Sequence, residues 1–172
     1  KEKMAFPLPD VPSIAVLPFV NMSEDPKQEF LCDGMTEAII TALSKVPRMF
    51  VIARNSTFTY KGKPVKVKQV SEDLGVRYVL EGSLQRSGDR LRITAQLIDA
   101  LTGNHLWAER YDRDLKDIFA LQDEITIKIL NGIRVKLTMG GEVSMSQKYA
   151  EKYYRGKQGL NCYLKLMEAS GY

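Results

Sequence analysis

Residues Val76 to Tyr111 read VRYVLEGSLQRSGDRLRITAQLIDALTGNHLWAERY, and this stretch decides the fold. Val76 to Arg86 is a strand-like run, and Ser87-Gly88-Asp89 is a tight turn. Leu91, Ile93, Ala95 and Leu97 then alternate with Arg92, Thr94 and Gln96. A period of two with one apolar and one polar face predicts a half-buried strand. Thr102-Gly103-Asn104 marks a second turn before a strand over Leu106 to Tyr111. Three strands joined by short turns make an antiparallel meander, with one face toward a core and the other toward water.

Upstream the pattern changes. Ser13 to Phe19 is a short apolar run suited to a buried strand, with Pro18 near its end. Asn21 to Lys27 reads as a polar loop. Leu31, Met35, Ile39, Leu43 and Val46 recur at helical spacing and stop before Pro47. Met49 to Ala53 reads as a second buried strand. Arg54 to Lys63 is polar and non-periodic, which predicts a loop. Val67, Val70 and Leu74 stripe a short helix that Gly75 would end.

Downstream, Asp114 is placed to cap a long helix carrying Ile118, Leu121, Ile125, Ile129, Ile133 and Leu137. Gly132 lies inside it and should weaken it by about 1 kcal/mol relative to alanine. Gly140-Gly141 would break it. The predicted order is β-α-β-α-β-β-β-α: a mixed α/β sheet of about five strands with helices packed on it. The expected division is a linker over 1–12 containing three prolines, the α/β domain over 13–139, and a helical tail over 140–172. Tyr149, Tyr153, Tyr154, Leu160, Tyr163, Leu164 and Met167 give that tail near-helical spacing, like the opening of an α-solenoid. The start at Lys1 and the end after an apolar helical pattern read as positions inside a longer chain.

Composition narrows the function classes. The 172 residues are 44% hydrophobic and 27% charged, with net charge +4, which are ordinary globular proportions. No run of about 18 apolar residues occurs, so no membrane span is expected. Cys32 and Cys162 are too few for a disulfide framework and are expected as separate reduced thiols, which favours a cytoplasmic location. The basic residues are interleaved with acids, as in Arg110-Tyr111-Asp112-Arg113-Asp114, which argues against nucleic acid as a partner.

No catalytic centre can be assembled. His105, the one histidine, follows a turn and has no nucleophile in register. Glu109, Asp112, Asp114 and Asp117 lack the alternating register and closing glutamate of a calcium loop. No glycine-rich phosphate loop exists, so no cofactor and no metal is expected. Trp107, Glu109 and Tyr111 share one strand face, where packing under the final helix competes with a base-stacking platform. The most site-like residues are Asp33, Arg54, Asn55, Ser56, Tyr60 and Lys61. Loops leaving strand ends in an open α/β sheet converge where ligands bind, and these donors suit an anion or polar small molecule. The competing reading is that Asn55 and Ser56 only satisfy the backbone of a long loop.

Six segments together resemble one bacterial module: Pro12 to Phe19, Asp33 to Glu37, Phe50 to Ser56, Tyr60 to Lys63, Leu74 to Ser83 and Asp99 to Asp112. It is similar to the N-terminal domain of TolB and to FlgO. The resemblance covers about residues 12–139. It implies a TolB-like α/β domain with a sensory, accessory or scaffolding role, set between a class III adenylate/guanylate cyclase or winged-helix domain and a tetratricopeptide array. The proline-rich start resembles the connector that follows a cyclase. A non-catalytic regulatory module of a cyclase protein is therefore expected, with an envelope-type assembly module as the alternative. No residue here matches the metal-binding aspartates or the substrate lysine of a cyclase. The expected partners are proteins or neighbouring domains, with self-association as a homodimer through the aromatic tail.

Overall fold

The computed structural model describes residues 8–9 and 11–137, with side chains through Ile133. The chain runs β1 (Ser13–Val16), β2 (Val20–Asn21), α1 (Glu29–Ser44), β3 (Phe50–Val51), α2 (Arg54–Thr57), α3 (Val67–Leu74), β4 (Tyr78–Ser87), β5 (Arg90–Asp99), β6 (Asn104–Asp114) and α4 (Ile118–Leu137). The sheet has the order β3-β1-β4-β5-β6, and β2 pairs with the upper part of β4. β1 is parallel to both β3 and β4, whereas β4, β5 and β6 form the antiparallel meander. This is the expected mixed α/β sheet, with six strands rather than about five.

The turns obey their backbone requirements. Gly88 sits at φ 57° between β4 and β5, where a two-residue connection needs a left-handed residue. Gly75 closes α3 at φ 68°, as a helix-terminal glycine should.

Two apolar clusters hold the layers together. On one face α1 and α4 lie over the sheet, burying Met35, Ile39 and Leu43 with Leu121, Ile125 and Ile129 against Leu80, Ile93 and Leu97. On the other, α3 covers only the β1–β4 region, burying Val70 against Ala15, Leu17 and Val79. The remainder of that second face, over β4 to β6, carries Glu81, Ser83, Thr94 and Gln96 and has no helix on it among the described residues.

Several local expectations are corrected. The stretch Arg54 to Lys63 is not a loop: α2 is followed by a one-turn 3-10 helix at Phe58–Tyr60. Its hydroxyls close the turns, with Thr57 donating to the Arg54 carbonyl and Thr59 to the Ser56 carbonyl. The second strand is a two-residue edge, and Phe50 is exposed rather than buried. The polar loop from Asn21 begins inside β2 and ends in a 3-10 turn capped by Asp25. Asp114 stands at the cap position of a 3-10 turn, Leu115–Asp117, that leads into α4, yet its carboxylate accepts from Arg90 at 2.8 Å instead of capping backbone. The predicted tail over 140–172, with Cys162, lies outside the described residues.

Candidate functional site

The geometry begins at the carboxyl end of β1. Pro18 has no N–H to give the ladder, so the strand cannot continue through it. Leu17 still donates to Leu80 at 3.0 Å. The next amide, Phe19, turns off the sheet and donates 2.9 Å to the buried Thr36 hydroxyl, which in turn donates 2.8 Å to the Cys32 carbonyl. The chain then rejoins β4 as β2, with Val20 opposite Ser83 and Asn21 opposite Leu84. The Phe19 ring is seated on Gly82, where a Cβ would fall 2.5 Å from the ring.

This detour opens a groove of about 700 Å³. Its floor is the uncovered sheet face, with Glu81, Ser83, Thr94 and Gln96. One wall is Leu17 to Asn21, and the other is Tyr60 to Val65. Within the floor Gln96 donates to Glu81 at 2.9 Å. Because α1 and α3 leave β1's neighbourhood on opposite faces of the sheet, the groove lies beside the point where the chain parts to the two sides.

The six residues singled out from sequence divide around this groove. Tyr60 and Lys61 line it. The Lys61 ammonium lies 2.7 and 2.6 Å from the two oxygens of Asp33, and 3.3 Å from Glu29. Its hydrogen bond to Asp33 is the main reason its pKa is raised. Tyr60 donates to Asp73 at 2.9 Å, and burial together with that carboxylate pushes its hydroxyl up to about 12. Arg54 lies outside the groove lining, 3.3 Å from Glu37 and 4.1 Å over the Phe58 ring. Asn55 and Ser56 are exposed on α2.

The floor residues Glu81, Ser83, Thr94 and Gln96 were not singled out from sequence. Their alternation was visible, but only the placement of α3 shows which polar positions stay uncovered.

Other candidates resolve into structure. Asp112 accepts from Arg92 at 2.7 Å and lies 3.4 Å from Arg110, and Glu109 lies 3.2 Å from Lys128. Among the described residues no group of three or more side chains is arranged to hold a metal. His105 is exposed at the start of β6. Trp107 and Tyr111 pack with the α4 side of the core, so they form no open stacking platform. No helix among the described residues is long and apolar enough to cross a membrane.

A family model described as the HilA/YgeH-like transcriptional regulator, second domain, matches residues 10–128. The chain belongs to this HilA/YgeH-like second-domain family. A relative from Rhizobium meliloti (strain 1021), named "Putative adenylate cyclase 3", is 65% identical over 135 residues. That match covers 78% of this chain and 23% of the relative, so the HilA/YgeH-like domain spans under a quarter of that protein. TolB from Acinetobacter baumannii shares the fold with TM-score 0.55 and 18% identity, over 76% of this chain and 30% of TolB. A Neisseria meningitidis lipoprotein overlaps at TM-score 0.49 and 23% identity, over 59% of this chain and 79% of its own.

The architecture is thus TolB-N-terminal-domain-like, as the sequence resemblance implied. The expected cytoplasmic location does not stand. The HilA/YgeH-like domain shares its fold with TolB, an envelope-associated protein. Two cysteines are too few for a disulfide framework, but their number does not specify a compartment.

Proposed function

We propose that this chain is a non-catalytic protein-interaction module that serves assembly within a longer protein. One observation carries the reading. The same domain type occurs in a family described as transcriptional regulators and, at 65% identity, in a protein named as an adenylate cyclase. Those outputs share no chemistry, so what the module contributes to both is accessory. The internal pairing of the charged groups around the groove supports this, since Lys61 and Arg54 already face carboxylates.

The rim formed by Asp33, Arg54, Asn55, Ser56, Tyr60 and Lys61 is the docking edge in this reading, with neighbouring domains or separate proteins as its partners. The attached output is a cyclase domain. The deciding experiment deletes residues 10–137 from the full-length protein and measures cyclic nucleotide formation and complex size. We expect turnover to persist while assembly or its regulation is lost. Turnover of ATP or GTP by the isolated chain would overturn the reading, and so would a full-length protein indifferent to the deletion.

A further inference from the structure

The outer edge of β6 is the longest unpaired strand edge in the described structure. β6 runs eleven residues, Asn104–Asp114, and pairs only with β5. Native edges are blunted by charged side chains, lysine above all, by proline, by a bulge or by a very short strand, and the charges of β6 alternate in sign rather than repeat. β6 contains neither proline nor lysine, and the irregularity in its pairing lies at Leu97/Ile98, near its beginning. From Trp107 to Asp114 the register with β5 is unbroken. Ala108 and Arg110 on this stretch are exposed.

The charges along it read Glu109, Arg110, Tyr111, Asp112, Arg113, Asp114. We infer that this edge pairs antiparallel with the same edge of a second copy, about a two-fold axis at Tyr111. With Tyr111 opposite its own copy, Arg110 faces the second copy's Asp112, and Glu109 faces its Arg113. By symmetry each pair occurs twice. Opposite charges directly across antiparallel strands are favourable, and like charges are not.

No other centre from Glu109 to Arg113 works. An axis at Glu109, Arg110, Asp112 or Arg113 sets that charged residue against itself. The chosen register also lets Arg110, which lies only 3.4 Å from its own Asp112, face the second copy's Asp112, while Arg92 keeps its 2.7 Å contact within the chain. A two-fold interface uses the same patch twice, which a strand edge with antisymmetric charge allows.

This inference rests on the reading of the chain as a protein-interaction module and names the second copy as a partner. The test is sedimentation velocity of the 172-residue chain over a concentration series, alongside R110D and R110D/D112R, with cysteine variants for crosslinking. The wild type should dimerise. R110D should raise the dimer dissociation constant by at least about tenfold, because like charges now oppose across the axis. R110D/D112R should restore it by exchanging the signs. A108C/D114C should form an interchain disulfide under mild oxidation, since those positions face each other, whereas A108C alone should not.

A monomeric wild type overturns the proposal. So does a dimer that ignores R110D, which places the contact elsewhere, or a double variant that fails to recover. None of these results touches the accessory-module reading, which stands or falls on the deletion experiment.

Discussion

The indole of Trp107 on β6 lies against Gly132 of α4, so closely that a Cβ there would stand 2.9 Å from Trp107 Cδ1. It would also fall 3.0 Å from Leu97 Cδ2. Gly132 is therefore a packing requirement, and the helix runs through it from Ile118 to Leu137.

Gly132→Ala should consequently destabilise the protein. Alanine favours a helix by about 1 kcal/mol over glycine, but overpacking a core contact costs about 1–3 kcal/mol. Urea unfolding followed by far-UV circular dichroism, a readout that survives removal of the single tryptophan, should show a net loss. In the Trp107→Ala background the same substitution should become neutral or stabilising. Equal effects in both backgrounds would mean that the two residues are not coupled.

Thr36→Val is nearly isosteric but removes the acceptor for the Phe19 amide at the β1–β2 bend. An unsatisfied buried N–H costs about 1–3 kcal/mol. Thr36→Ser should retain most of the stability. If valine and serine are tolerated alike in chemical denaturation, the hydroxyl is not what holds the bend.

The rim residues carry little stability. Lys61 and Arg54 are partly exposed and paired at the surface, where an ion pair contributes at most about 1 kcal/mol. Lys61→Ala and Arg54→Ala should therefore fold with near-native melting temperatures. Loss of partner binding in either would then report on the docking edge; a collapsed circular dichroism spectrum would make the residue structural.

Burial pushes the Cys32 thiol up to about 12, with Glu29 and Asp33 adding to it. Only thiolate reacts at a useful rate. Native protein at pH 8 should leave Cys32 unlabelled by iodoacetamide, and urea should expose it. Peptide mapping distinguishes it from Cys162, and rapid native labelling at Cys32 would contradict the burial.

Hydrogen bonds from Arg92 and Arg90 hold the Asp112 and Asp114 carboxyls below their usual range. A depressed folded value means that the stability is present above the unfolded aspartate pKa of about 3.9. It is lost as pH falls through the folded value. Urea midpoints should thus drop below about pH 4, and the drop should be shallower in Arg90→Ala/Arg92→Ala. An unchanged acid slope would remove these two pairs from the acid transition.

The sequence alone determined the order and kind of most elements. Alternation at Leu91, Ile93, Ala95 and Leu97 can be satisfied only by a half-buried strand, and the Met35, Ile39, Leu43 stripe only by a helix. Gly75 and Gly88 were legible for the same reason: local backbone geometry demanded glycine. What tertiary structure decided depends on contacts between distant segments. Met49 to Ala53 looked buried because it is apolar, but only the strand order leaves Phe50 at an edge. Arg54 to Lys63 lacked apolar periodicity because α2 is a single turn, too short to show a stripe. Gly132 read as a weakness until Trp107 arrived from 25 positions away to fill the space that a side chain would occupy. The groove is the clearest case. Its polar floor was written in the alternation of β4 and β5, but it is a site only because α3 covers one part of that face and leaves the rest open.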